Sequence, residues 1–262
     1  MHICAFATQS INHKAQTLKL TEKILDEISN QGSEIAKKYS VPLLVFDAEK
    51  TKPQTATGLL LETQRGTVLV TSAHVFEGYL ELKDAGRFQA GMRGKVIKNL
   101  KDRIRLSKTQ DVGFALLTDD EVAGTGFPVY PKSGVSQEPP QKLDLVAYSG
   151  FPGCWKEVLA NIGMRLTALT CLAAVETVED DQFSVRMDEE RYELAQNSIR
   201  HLEDAGGISG APVFSLFDFW KSKRRQPLLI GFIFEGYVWS ETDHKHYAVP
   251  LKALQEIADF EF

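Results

Sequence analysis

The stretch Gly206-Gly-Ile-Ser-Gly-Ala-Pro212 places a serine, Ser209, in a glycine-rich turn. Two stretches precede it: Thr71-Ser-Ala-His-Val75, with a histidine at the end of an apolar strand, and Asp111-Val-Gly-Phe-Ala-Leu116, with an acid that opens another strand. A serine hydroxyl is a poor nucleophile at neutral pH, so it needs a nearby base, and the base needs an acid that orients it. Histidine suits the base because it titrates close to neutral pH. The three stretches therefore predict the parts of a nucleophilic hydrolase.

Each stretch also has an ordinary structural explanation. A histidine after an apolar run is more often structural, an aspartate before a strand is often a turn former, and a glycine-rich turn is usually a loop. Their co-occurrence in one chain favours the catalytic interpretation. The order His, Asp, Ser excludes the α/β-hydrolases and the subtilisins, whose triads run in other orders. Ala211 also stands where the α/β-hydrolase motif G-x-S-x-G requires a glycine.

The three stretches resemble the motifs of the chymotrypsin-like (trypsin-fold) serine proteases. In that family the histidine lies in a T-A-A-H-like motif, the aspartate opens a short D-[IV]-A-L-like strand, and the serine lies in G-x-S-G-G-P. The chain is closest in character to bacterial trypsin-like peptidases without disulfides, and the resemblance covers about residues 41–258. It implies an all-β fold of two antiparallel six-stranded β-barrels with the active site between them and a C-terminal helix, and the N-terminal helical extension predicted below lies outside the resemblance.

The resemblance also implies catalytic roles. Ser209 attacks the scissile carbonyl, His74 takes its proton and passes it to the leaving amine, and Asp111 orients His74. The backbone amides of Gly207 and Ser209 form the oxyanion hole. Ile208 precedes the serine at the place where digestive enzymes carry an aspartate that pairs with a newly freed amino terminus. Activation by that route is therefore not expected.

Substrate contacts are predicted in two places. Phe234, Glu235 and Gly236 follow the serine hairpin, where family members pair with the substrate backbone, although core packing also explains Phe234. Glu203 and Asp204 fall near the position of the acid that recognises a basic side chain in trypsin-like enzymes. Cleavage after Lys or Arg is therefore a hypothesis, and two acidic residues of a surface loop are the alternative.

The apolar pattern divides the chain into a helical extension (1–40), a first barrel (41–118), a linker rich in Gly and Pro (119–141) and a second barrel with a closing helix (142–262). Within the extension, the pattern predicts a helix from about residue 14 to residue 39, with an interruption at Gln31-Gly32. We favour packing against the protease over a regulatory protein partner as its role. Strands are predicted at Val41–Phe46, Thr57–Leu61, Gly66–Thr71, Gly94–Ile97, Ile104–Leu106, Val112–Leu117, Leu143–Tyr148, Arg165–Ala174, Gln182–Met187, Val213–Leu216, Leu228–Phe234 and His246–Val249.

Composition limits the partners. A net charge of −5 gives no reason to expect nucleic acid, and for the basic stretches 93–108 and 221–225 we favour solvated surfaces over a nucleic-acid groove. No apolar run is long enough to span a membrane, and the start of the chain lacks the features of a secretory signal. Three cysteines are too few for a secreted disulfide framework, which favours a cytoplasmic protein. No cofactor or metal is expected, because His244-x-His246 is assigned to a polar turn without a third ligand.

The sequence thus predicts a serine endopeptidase that acts through an acyl-enzyme on a dedicated intracellular protein. The alternative is a protease fold without turnover that serves as a scaffold for a partner protein. The charged segment 188–204 reads equally well as a helix or as a long surface loop.

Overall fold

The structure is a computed structural model that describes residues 22–47, 53–82, 87–91, 94–153, 156–159, 163–186, 206–216, 227–236, 245–257 and 260–262. The described helices are α1 (Glu22–Tyr39), α2 (Ala73–Leu80), α3 (Asp119–Thr125) and α4 (Lys252–Gln255). The described strands are β1 (Val41–Phe46), β2 (Gln54–Thr63), β3 (Gly66–Thr71), β4 (Arg87–Ala90), β5 (Lys95–Val96), β6 (Ile104–Leu106), β7 (Gly113–Leu116), β8 (Leu145–Gly150), β9 (Lys156–Leu159), β10 (Gly163–Leu166), β11 (Leu169–Val178), β12 (Phe183–Arg186), β13 (Pro212–Ser215), β14 (Leu228–Gly236) and β15 (Lys245–Pro250).

The first seven strands form one curled antiparallel sheet in the order β5-β4-β1-β2-β3-β7-β6. Its central strands are apolar on both faces because both faces are covered. Leu60 and Leu69 lie in the core that the sheet wraps around, whereas Leu59 and Val70 lie in a core shared with the second barrel. This double burial explains why β2 and β3 read as nearly continuous apolar runs rather than as alternating ones.

The second strand set closes into an antiparallel barrel in the order β11-β12-β15-β14-β13-β8. Successive side chains of a strand point to opposite faces, so Val213 lies inside this barrel and Phe214 lies in the core shared with the first sheet. The shared core also takes up residues from α1 and from the C-terminal segment, including Tyr39 and Leu254. The two strand sets are therefore held together by a continuous apolar layer.

Helix α1 packs along the second barrel, against β8, β11 and β13. Its residues Ile28, Ala36 and Tyr39 are buried in the shared core, as expected for the predicted packing role. The predicted interruption at Gln31-Gly32 is wrong, because the helix runs unbroken through both residues. A Cβ atom at Gly32 would lie 2.6 Å from the side chain of Leu216, so the glycine permits a close approach of helix and barrel.

The all-β prediction is confirmed, with two differences in strand count. The first unit is a curled half-barrel sheet of seven strands rather than a closed barrel of six, and β4 is the strand that the sequence did not predict. This strand has only four residues, and its inward residues Phe88 and Ala90 alternate with polar ones. The second barrel has six strands as predicted, with β9 and β10 as a separate hairpin beside it.

Helices also occur where the sequence indicated none. The segment predicted as a loose linker begins with α3, whose first turn is closed by a capping box between Thr118 and Glu121. The predicted closing helix is a single turn, α4. No helix among the described residues combines the length and the hydrophobicity needed to cross a bilayer. The four predicted segments and the three boundaries between them stay predictions.

Candidate active site

His74 lies in the first turn of α2, two residues after Ser72, which is the N-cap of that helix. The sequence placed it at the end of strand β3, but β3 ends at Thr71. Asp111 precedes β7, and the pairing of Thr71 with Gly113 across β3 and β7 brings the two side chains together. The antiparallel register of two adjacent strands is therefore what joins histidine and acid, which are 37 positions apart in the chain.

Both oxygens of the Asp111 carboxylate bind His74. Oδ2 lies 2.6 Å from Nδ1 of the ring, and Oδ1 accepts a hydrogen bond of 2.8 Å from the backbone N–H of His74. A carboxylate at Nδ1 favours the tautomer with a proton there, which places the lone pair of the neutral ring on Nε2, the atom that can accept a proton. The imidazole side chain is 51% exposed, and the carboxylate is only 24% exposed. This is the arrangement of an oriented general base at a surface.

The serine turn is hydrogen-bonded to β2, the neighbour of the strand that leads to His74, and to β14. The backbone N–H of Thr57 donates to the carbonyl of Ser209 at 3.0 Å, and the N–H of Gly210 donates to the carbonyl of Ile233 at 2.7 Å. Gly210 has φ +87°, and a Cβ there would lie 2.0 Å from the Thr57 carbonyl and 2.2 Å from Oγ1 of Thr71. Only glycine fits this position. Gly210, the residue after Ser209, thus lies directly against Thr71, the residue that opens the His74 motif.

The hydroxyl of Ser209 is partly exposed and lies 3.4 Å from the carbonyl of Phe234. Phe234 stands at an irregularity of β14, where the pairing with β15 shifts between Ile233 and Glu235. Such a bulge turns backbone groups away from the ladder, and bulges are common beside active sites. The predicted substrate residues Phe234 to Gly236 therefore lie at the end of β14 next to the serine, although the side chain of Glu235 is outside what the structure describes.

The predicted oxyanion residues lie in a turn whose carbonyls are all engaged. The carbonyl of Gly206 accepts from Gly153 at 2.6 Å, that of Gly207 from the hydroxyl of Thr57 at 2.6 Å, and that of Ile208 from Ala211 at 2.9 Å. Within the described part of the chain, the N–H groups of residues 207, 208 and 209 have no hydrogen-bond acceptor. A run of unpaired amides is the arrangement that binds a developing oxyanion.

Ile208 is 2% exposed and packs inside the second barrel, with Val146 and Ile230 among its apolar neighbours. An aspartate there would bury a charge at high cost unless it found a cationic partner. The apolar anchor thus replaces the ion pair that digestive enzymes of the resembled family use at this position.

Two predicted specificity residues, Glu203 and Asp204, lie outside the described residues and stay predictions. His246 is in β15, as the predicted strand His246–Val249 requires, whereas its assignment to a polar turn is wrong, since the residue is only 3% exposed. Its Nδ1 is 2.8 Å from the hydroxyl of Tyr148, and burial lowers the pKa of the imidazole to about 4. The signal that could have shown this is its spacing from Ala248, which points to the same inner face of the barrel. Among the described residues no group of three or more His, Cys, Asp or Glu is placed to hold a metal ion.

Neither a protein-family model nor a curated protein sequence matches the chain. Its fold, however, is similar to solved structures. The protease Rv3671c from M. tuberculosis in its active form matches with a TM-score of 0.52 and 12% sequence identity, over 87% of this chain and 83% of that chain. The thermostable serine protease AL20 from an extremophilic microorganism matches with a TM-score of 0.51 and 12% identity, over 84% of this chain and 95% of that chain. The chain therefore has a chymotrypsin-like fold, as the sequence motifs predicted.

Proposed function

We propose that the protein is a serine endopeptidase with His74, Asp111 and Ser209 as its catalytic triad. The observation that carries the proposal is the two-point contact of the Asp111 carboxylate with Nδ1 and the backbone N–H of His74. A structural aspartate needs no such contact with a half-exposed ring, whereas a general base needs its tautomer and its orientation to be set. The serine turn next to the same strand end supplies the third member.

The proposed reaction has two halves. His74 removes the hydroxyl proton of Ser209 as the serine oxygen bonds to the carbonyl carbon of the substrate, and the resulting oxyanion is bound by the amides of Gly207 and Ser209. His74 then gives the proton to the leaving amine as the C–N bond breaks. In the second half, water loses a proton to His74 and attacks the ester carbonyl, and the proton returns to the oxygen of Ser209 as the ester bond breaks.

The end of β14 supports an extended peptide as the substrate. On the side of β13, the last backbone contact of β14 is at Ile233, whose N–H and carbonyl bind the serine turn. Phe234 to Gly236 pair only with β15 among the described residues, which leaves the other backbone edge of this segment facing the serine turn. A substrate strand that adds to this edge would bring its scissile bond to Ser209. Cleavage after Lys or Arg, read by Glu203 and Asp204, stays a hypothesis within this proposal.

We also propose a cytoplasmic location and a dedicated protein substrate. Three cysteines in 262 residues support the location, and the described one, Cys171, is buried and not part of a disulfide. A protease in that compartment must avoid general damage, which favours one dedicated substrate.

Labelling with a serine-directed fluorophosphonate tests the proposal. The folded wild-type protein should label at Ser209, and Ser209→Ala should abolish the labelling. Ser136→Ala, at a partly exposed serine in the segment between the two strand sets, is the matched control and should label like wild type. Folded wild-type protein that does not label would instead support the scaffold without turnover.

A further inference from the structure

Thr57 is a fully buried polar residue in the middle of β2, and its N–H, its carbonyl and its hydroxyl all make hydrogen bonds. Its N–H donates to the carbonyl of Ser209, and its own carbonyl accepts from Oγ1 of Thr71 at 2.6 Å. Its hydroxyl donates to the carbonyl of Gly207 at 2.6 Å and accepts from the N–H of Phe151 at 3.0 Å. One side chain thus joins β2, the oxyanion turn and the loop after β8.

The loop after β8, residues 150–153, also contacts the oxyanion turn, by which we mean the part of the serine turn that carries the proposed oxyanion donors Gly207 and Ser209. The N–H of Gly153 donates to the carbonyl of Gly206, and a Cβ at Gly207 would lie 2.4 Å from the carbonyl of Phe151. Gly207 has φ +111°, which L side chains rarely adopt. The turn is therefore held in an unusual backbone conformation by contacts from β2 and from the loop after β8. The hydroxyl of Thr57 binds both the turn, at Gly207, and the loop, at Phe151.

The direction of the amides follows from these contacts. In a trans peptide the carbonyl and the N–H of the next residue point in opposite directions. A hydrogen bond that fixes the carbonyl of Gly207 toward Thr57 therefore turns the N–H of Ile208 away from β2. The bond from Gly153 to the carbonyl of Gly206 likewise turns the N–H of Gly207, one of the two proposed oxyanion donors, away from the loop after β8. The peptide between Gly207 and Ile208 links this donor to the other one, the N–H of Ser209. Rotation of either peptide would therefore turn a donor away or change the relative direction of the two donors, so the two bonds set the geometry that catalysis requires.

We infer that Thr57 is a positioning residue that holds the oxyanion turn in its catalytic conformation through its hydroxyl, the task that an ion pair at position 208 performs in digestive relatives. The inference rests on the proposed function. Because Ile208 has no charge to pair with a new amino terminus and the turn is tied by residues of the intact chain, the oxyanion site is complete as soon as the chain folds. No cleavage of the chain is needed to mature it.

Three variants of buried threonines separate positioning from general stability. Thr57→Val keeps the shape but removes the hydroxyl, and Thr57→Ser keeps the hydroxyl. Thr63→Val is the matched control, because Thr63 is a buried residue of the same strand whose hydroxyl also makes two backbone hydrogen bonds, at the end of β2 that precedes the turn to β3. If Thr57→Val does not fold, Thr57→Ala replaces it, since it leaves room for a water molecule.

The first measurement is the kinetics of fluorophosphonate labelling, separated into KI and the limiting rate kinact. We expect Thr57→Val to lower kinact about 10- to 100-fold with little change in KI, because the amides no longer converge on the phosphoryl oxygen. Thr57→Ser and Thr63→Val should stay within about threefold of wild type. A Thr57→Val protein that is folded and keeps its kinact, or a folded Thr57→Ser protein that loses it, overturns the inference.

The second measurement does not depend on reactivity. A crystal structure of Thr57→Val should show the carbonyl of Gly207 turned away from β2, whereas Thr57→Ser should keep it in place. An unchanged carbonyl in Thr57→Val overturns the inference even if the rates fall. If folded wild-type protein does not label at all, the proposed function fails, and the direction of this carbonyl alone decides the role of Thr57.

Discussion

Replacing Asp111 with asparagine tests the orientation of the general base most directly. The carboxylate of Asp111 accepts two hydrogen bonds from His74, one from the backbone N–H and one at Nδ1. An asparagine has one oxygen and one NH₂ group. If its oxygen keeps the backbone N–H, its NH₂ group faces Nδ1 and makes Nδ1 an acceptor. The ring proton then moves to Nε2, which can no longer take a proton from Ser209.

The expected loss can be estimated from this change of tautomer. Asparagine at the acid of a Ser-His-Asp triad lowers kcat by about 10,000-fold with little change of geometry, which corresponds to about 5 kcal/mol of transition-state stabilisation. We expect a decrease of this order for Asp111→Asn in fluorophosphonate labelling at neutral pH. The melting temperature should change by only a few degrees, because the hydrogen bond to the backbone of His74 can persist.

The control is Asp120→Asn, which removes the charge of an exposed aspartate in α3 and should label like wild type. The rate is compared between proteins of equal folded fraction, measured by circular dichroism. A folded Asp111→Asn protein that labels within tenfold of wild type would refute the assignment of Asp111 as the orienting acid. It would also refute the catalytic interpretation of the 2.6 Å contact between Oδ2 of Asp111 and Nδ1 of His74.

Three further predictions concern stability. Gly210→Ala should destabilise the fold by several kcal/mol in urea unfolding, because its Cβ would meet a backbone oxygen at 2.0 Å, whereas Gly126→Ala, at φ +75° with open space around it, should cost about 1 kcal/mol. Burial opposes ionisation of Glu121, but hydrogen bonds from Arg103 and from the helix cap outweigh it and lower the pKa of the carboxyl to about 2. Arg103→Met should therefore destabilise the protein by about 1 to 3 kcal/mol at pH 7, and this difference should shrink as the pH falls from 4.5 to 2 in acid-titrated unfolding. His246 has a folded pKa of about 4 against an ordinary 6.5, so the unfolded chain binds more protons between these values and stability should fall by up to about 3 kcal/mol as the pH drops through them. In His246→Gln that loss should be absent from unfolding curves measured across the same range.

The residues of the candidate site can be predicted from the sequence, but some of the elements that carry them cannot. His74, Asp111 and Ser209 are candidates because a catalytic set requires recognisable residue types in a recognisable order. The helix that carries His74 was missed because its eight residues directly continue the apolar pattern of β3. The unbroken helix α1 was missed because Gly32 signals a break locally, whereas its actual role is contact with Leu216, a residue far along the chain.

The hydrogen-bond partners of Thr57 and His246 could not be predicted from the sequence, for the same physical reason. A threonine in an apolar strand and a histidine after a polar segment have no local signature of function, since their partners come from other parts of the chain. The hydroxyl of Thr57 binds residues 94 and 150 positions away, and the imidazole of His246 binds a hydroxyl 98 positions away. Such partners are set by the pairing of strands, which the sequence of one strand does not contain.

By itself, the sequence determined the all-β character, the chain order of the three predicted catalytic residues and the absence of an aspartate before the serine. These properties are local, because they depend on residue types and on spacing within short segments. Only the tertiary structure decided that Asp111 contacts His74 at two points, that Ile208 is anchored in an apolar core and that Thr57 ties the oxyanion turn. Each of these depends on segments brought together by strand register and by the shared core, and their free energy comes from burial and hydrogen bonding between residues that are distant in the chain.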